Sequence, residues 1–121
     1  MGVPTLQELK QRKCKPCEGG VAPLAAPEAM VYLAHLPGWE ISADGKLIGH
    51  TYVMRWFMDA IELIQKIAEV AEAEDHHPDI HLSGYRRLRI ELTTHAIGGL
   101  SENDFILAAK IESLPKQLKQ A

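Results

Sequence analysis

Two cysteines in 121 residues are too few for a disulfide framework, and no uncharged apolar run reaches the roughly 18 residues of a membrane span. The opening MGVPTLQELK lacks a basic region followed by an apolar stretch, so no secretory signal is expected. Basic residues are not in surplus either: 13 Lys and Arg stand against 16 Asp and Glu, a formal net charge of -3. General nucleic-acid binding, which needs a basic face to neutralise phosphates, is therefore not expected. The chain has no repeat and no low-complexity segment. It also has no G-x-S-x-G, no phosphate-cradling glycine loop and no Cys grouped with His and Asn, so covalent catalysis has no strong candidate. What is present is ordinary for a globular protein, 46% hydrophobic and 24% charged. One small cytoplasmic domain is expected, burying roughly two-thirds of its unfolded surface.

Residues 1–26 show no sustained period and hold three prolines and three glycines. They read as an extension lying on a domain at 27–115, with a tail at 116–121. Their one chemical feature is Cys14-Lys15-Pro16-Cys17. A four-ligand metal site needs two further ligands at a matching spacing and no second Cys pair exists, so two reduced thiols are expected.

A first helix is predicted from Pro27 to just before Pro37-Gly38. Two strands, Trp39–Ser42 and Lys46–Val53, follow around an Asp44-Gly45 turn. From Arg55 to Ala73, polar residues at Arg55, Asp59, Glu62, Lys66 and Glu69 are spaced four-three-four-three. Phe57, Ala60, Ile61, Ile64, Ile67, Ala68 and Ala71 form the opposite stripe, a long amphipathic helix packed on a sheet. Pro78 biases His77 out of the helical region and ends this helix at the His76-His77 pair. Asp79–Leu82 and Arg87–His95 make a second hairpin about Ser83-Gly84, the longer strand alternating Leu88, Ile90 and Leu92 with Arg87, Arg89, Glu91 and Thr93. Ser101, with Asp104 at the capping-box position, starts a last helix to about Leu114. The order αββαββα predicts an α+β fold, a four-stranded antiparallel sheet with three helices on one face.

The second hairpin carries the chemistry. Folded about Ser83-Gly84, it pairs residues whose numbers sum to roughly 168 to 170, which brings His76 and His77 to within a pair or two of Thr93, Thr94 and His95. Three imidazoles then converge at one end of the sheet, with Glu72 one helical turn before His76 and able to hold an imidazole in a chosen tautomer. Such a cluster suits proton transfer near neutral pH. Two other readings fit the same residues. One is histidines with no chemical role. The other is a metal site from His76, His77, His81 and His95 with Asp75 or Asp79, against which adjacent His76 and His77 lack the i, i+4 spacing of a helical zinc motif. Trp56, Phe57 and Met58 are expected in the core or a subunit interface, His35 and His50 are structural or exposed, and Arg86, Arg87 and Arg89 form a solvated strand face or an ion-pair network.

At these residues the chain resembles the pterin-4a-carbinolamine dehydratases. Their pattern stands here as Glu72-x3-His76-His77-Pro78-x6-Tyr85-x9-His95-x8-Asp104, and the similarity extends over about 80 residues, from Gly38-Trp39 to Gly99-Leu100-Ser101-Glu102 and Ala108. The resemblance implies a hydro-lyase that converts 4a-hydroxytetrahydropterin to quinonoid dihydropterin and water, with no metal and no organic cofactor. It implies His76, His77 and His95 as the catalytic histidines, with acid and base shared between His76 and His95 and His77 chiefly binding. Glu72 or Asp75 orients them, and the pterin contacts fall on His76, His77, Pro78, Thr94, His95, Ala96 and Ile97. It further implies a homodimer or homotetramer joined through sheet edges and helices, with a pterin as the small-molecule partner and neither nucleic acid nor membrane. The alternative it leaves is a non-catalytic pterin or molybdopterin carrier, or an assembly factor or dimerisation cofactor, on the same fold.

Overall fold

The computed structural model describes residues 4–15 and 22–120. Cys17 of the C-x-x-C spacing lies outside them.

Side-chain alternation sets the two faces of the sheet. In β4 (Arg87–Leu92), Leu88, Ile90 and Leu92 are buried while Arg87, Arg89 and Glu91 take the opposite face. This strand pairs antiparallel with β2 (Ile48–Val53) on one side and β3 (Asp79–Ser83) on the other. Register keeps apolar residues together: Ile48 faces Leu92, Tyr52 faces Leu88, and Ile80 faces Ile90. A two-residue β1 (Glu40–Ile41) joins the outer side of β2, giving the order β1-β2-β4-β3. The β3–β4 pairs sum to 170, at the upper end of the expected register.

Helices cover the apolar face in one continuous core. The last, α4 (Glu102–Glu112), is buried at every position from Asn103 to Ala109, because other helices pack against it within the one core it shares with the sheet. Its neighbour α3 (Phe57–Glu74) buries Ala60, Leu63, Ile67 and Ala71. That is a narrower face than the apolar stripe in the sequence: Phe57 and Ala68 are exposed, as are Trp56 and Met58, so these three N-terminal residues are not core. The helix before the sheet, α2 (Ala26–Leu33), begins on Pro27 and contributes Ala29 and Tyr32.

Two segments depart from the expected layout. The N-terminal segment contains a further helix, α1 (Leu6–Gln11), capped by Thr5 and Glu8 and packed on α4 with Leu9 fully buried. At the other end the tail pairs with the residues after β2: Arg55 N–H donates to the Gln117 carbonyl at 2.8 Å and Lys119 N–H to that of Val53 at 2.9 Å. Lys116 turns its ammonium onto the carbonyls of Ile111, Glu112 and Leu114, where the C-terminus of α4 leaves acceptors without partners.

Candidate active site

Three segments meet around a pocket of about 460 Å³ at one end of the sheet. The first ends α3. Asp75 takes the left-handed conformation (φ 51) that closes a helix, and the chain turns into His76 and His77 ahead of β3. The second follows β4, which stops at Leu92 and not at His95 as its alternation suggested. Thr94 instead bridges to Gly99, with Thr94 N–H on the Gly99 carbonyl at 2.9 Å, and a short 3-10 turn (His95–Ile97) is pinched off between them. Gly98 closes the turn at φ 68, a conformation open to glycine at little cost. His95 and Ala96 are thereby presented at the surface of the pocket while Thr94 points inward and is buried. The third is the residues after α1, which bring Cys14 and Lys15 to the same pocket.

Histidines 76, 77 and 95 all line this space, together with Asp75, Thr93, Thr94 and Ala96. Glu72, Pro78 and Ile97 lie outside its lining, and His81 sits on the polar face of the sheet with Glu91, 3.4 Å away. Among the described residues, no three His, Cys, Asp or Glu side chains converge as a metal site.

The three imidazoles have different surroundings. His76 is mostly buried, and its Nε2 lies 2.7 Å from Oδ1 of Asp104, which is fully buried in the first turn of α4. The second oxygen of Asp104 accepts from Ser101 N–H at 3.0 Å and from the Thr94 hydroxyl at 2.8 Å, and Thr94 in turn meets the Ser101 hydroxyl at 2.8 Å. A peptide N–H can only donate, so Asp104 acts as an acceptor toward this network. The matching donor at His76 is Nε2–H, which leaves Nδ1 with the lone pair. His77 pairs with Glu72 at 2.5 Å, but both side chains are largely in water, where such a pair contributes little. Glu72 thus holds His77, and the residue that orients His76 is Asp104. His95 is exposed.

Asp104 shows why a local reading of sequence is incomplete. Its spacing from Ser101 announces a helix cap, and the cap is present, yet its other oxygen reaches 28 residues back to an imidazole. Asn103 carried no periodic signal at all. It is buried beside Asp104 and grips the Lys15 backbone, accepting from its N–H at 2.9 Å and donating to its carbonyl at 2.5 Å. Glu74, its side chain 6% exposed, accepts from Cys14 N–H at 2.8 Å and from the Lys110 ammonium at 2.8 Å. Burial alone would raise the Glu74 carboxyl, but these two donors hold it below the ordinary range. Burial, reinforced by the Glu74 charge, pushes the Cys14 thiol up to about 12, so it is a protonated side chain at neutral pH and no nucleophile.

Against this geometry, the profile of the pterin 4 alpha carbinolamine dehydratase family matches residues 22–114. The chain belongs to that family. A Halorhodospira halophila protein bearing the family's name is 46% identical over 106 residues, covering 88% of this chain and 96% of its own length. Pterin-4-alpha-carbinolamine dehydratase 2, mitochondrial, of Arabidopsis thaliana is 39% identical over 113 residues, 91% of this chain and 60% of that longer protein. Among solved structures, the transcriptional coactivator/pterin dehydratase of Brucella melitensis superposes with a TM-score of 0.71 at 28% identity, over 75% of this chain and 96% of that one. The four-stranded antiparallel sheet with helices is thus the family fold. No helix among the described residues is long and apolar enough to cross a membrane.

Proposed function

We propose that the protein dehydrates a 4a-hydroxytetrahydropterin to the quinonoid dihydropterin and water, with His76 and His95 as base and acid. The observation that carries this reading is that His76, paired with Asp104, and His95 line one pocket. Dehydration needs two proton transfers. A ring nitrogen loses its proton, its electron pair forms a double bond to the adjacent carbon, the carbon–oxygen bond breaks, and the departing hydroxide takes a proton and leaves as water.

His76 suits the first transfer, because its Nε2–H is committed to Asp104 and its Nδ1 lone pair is the basic position. As Nδ1 takes the proton, the Asp104 carboxylate stabilises the imidazolium that forms. His95, in contact with water, suits delivery of the proton to the hydroxide and can be reprotonated from solvent. His77, held by Glu72, borders the ring and binds it, with Asp75 beside it. The leading N–H groups of the 3-10 turn, those of His95 and Ala96, have no carbonyl within the turn to bond and so suit the carbonyl of the pterin amide edge. The reading extends to association of copies as dimers or tetramers, for which β3 supplies a sheet edge paired on one side only.

The binding half of this reading is tested by titrating the protein with 7,8-dihydrobiopterin, a stable pterin, while following the histidine ring resonances by NMR. Shifts at His76, His77 and His95, with those of His35, His50 and His81 unmoved, are expected. Saturable shifts confined to the second set, or none, would place the pterin elsewhere.

A further inference from the structure

The two partners of the His76–Asp104 bond arrive on different helices. His76 leaves the end of α3, where its N–H still donates to the Ala71 carbonyl at 3.2 Å, so the imidazole moves with that helix. Asp104 lies in the first turn of α4. The bond between them is therefore sensitive to how far one helix slides along the other. Apolar burial is non-directional, whereas a buried polar pair can fix the register of two helices.

One such pair joins these same helices. Glu74, the last residue of α3, accepts at 2.8 Å from the ammonium of Lys110 in the last turn of α4, and both side chains are largely withdrawn from water. Exclusion of water strengthens the attraction and makes the pair costly to break from one side. The other oxygen of Glu74 accepts from the Cys14 N–H at 2.8 Å, and Asn103 on α4 holds the Lys15 backbone by both its N–H and its carbonyl. Residues 14 and 15 are thus tied to one helix each, and Cys14, Lys15, Glu74 and Asn103 line the pocket beside the histidines. One carboxylate, placed two residues before His76, makes both the bond between helices and the bond to the wall.

We propose that Glu74 is a positioning residue of the active site: through Lys110 it sets the register of α3 on α4 in which His76 meets Asp104, and through the Cys14 N–H it holds the pocket wall. The first role governs the rate, and the second governs binding of the ring. This rests on the dehydratase reading above and adds to it a residue that acts through His76.

The test uses Glu74→Gln/Lys110→Met, in which the glutamine oxygen still accepts from the Cys14 N–H while the bond between helices is gone. Because both charges are removed together, no unpaired charge is left buried and the fold is expected to hold. A kcat lowered roughly tenfold, with KM within about twofold of wild type, is expected from a small misplacement of the base. The histidine ring nitrogen resonances report the cause. His76 is expected as the single Nε2–H tautomer in the wild type and as a mixture of both in the variant, where Asp104 no longer fixes the proton. Glu74→Asp gives a second reading in a chain that keeps the charge: withdrawing the carboxylate by one methylene breaks its reach to both donors, so kcat falls and KM rises together. A single Nε2–H tautomer with wild-type kcat in either folded variant overturns the positioning role, as does a wild-type His76 already in both tautomers. A wild-type chain that accelerates no dehydration overturns the reaction instead, and the ring resonances, which need no turnover, still decide the positioning.

Discussion

His95→Ala is expected to lower the dehydration rate by roughly 100-fold or more, within the 10² to 10⁴ that a positioned acid or base contributes, while the thermal midpoint stays where it is. The two halves of that result have separate causes. His95 projects from an exposed 3-10 turn whose closure depends on the Thr94–Gly99 bridge and the left-handed Gly98, none of which uses the imidazole. Removing the ring therefore takes a proton donor from the pocket and leaves the packing intact. The check is kcat from the absorbance change of the pterin, with a circular dichroism melt on the same preparation. A rate within a few-fold of wild type, from a variant that melts normally, would take His95 out of the mechanism.

Substitution at Asp104 gives the second large effect, and the two obvious variants separate structure from chemistry. Asp104→Ala removes the carboxylate shared by the Ser101 N–H, the Thr94 hydroxyl and His76; Thr94 keeps the Ser101 hydroxyl at 2.8 Å, so the cost falls chiefly on the other two, at about 1 to 3 kcal/mol for each group that loses its acceptor. Partial access of water to His76 reduces that total, and a loss of about 3 kcal/mol is expected, a large share of the roughly 5 to 15 kcal/mol that holds a domain together. The melting midpoint should fall by on the order of 10 °C. Asp104→Asn keeps the shape. Because the Ser101 N–H must find an oxygen, the new amide is obliged to turn its NH2 toward His76. The imidazole then accepts at Nε2 and carries its proton on Nδ1, so the lone pair is removed from the position where the base is needed. A folded protein with a rate lowered by roughly 100-fold is expected for Asp104→Asn. A folded Asp104→Asn variant with the wild-type rate would show that the tautomer of His76 is irrelevant.

Much of this arrangement is legible in the chain because it follows from short-range rules. Leu88, Ile90 and Leu92 alternate, so β4 and its buried face could be read directly, and a turn at Ser83-Gly84 fixes which residues oppose it. That register brings His76 and His77 to the end of the sheet where β4 stops, and the turn after Thr94 adds His95 to the same pocket. What was not legible depends on contacts between distant segments. The alternation continues through Thr93 to His95, but the pairing of Thr94 with Gly99 ends the strand and turns His95 outward. In α1, Thr5-x-x-Glu8 has capping-box spacing, yet six residues with two leucines are too few to show a period, and the helix owes its place to Leu9 entering the core beside α4. The apolar stripe of α3 was wider than the face the core covers, and nothing in the sequence said which edge of it would be left in water. Asp104 looked complete as a helix cap, and its second partner lies on another element.

The most direct measurement is the decay of freshly generated 4a-hydroxytetrahydropterin, followed by ultraviolet absorbance with and without catalytic amounts of the wild-type protein. A first-order acceleration proportional to protein concentration is expected, with the quinonoid dihydropterin as product. A decay that runs at the uncatalysed rate in the presence of folded, pterin-binding protein would contradict it and leave the pocket as a carrier site.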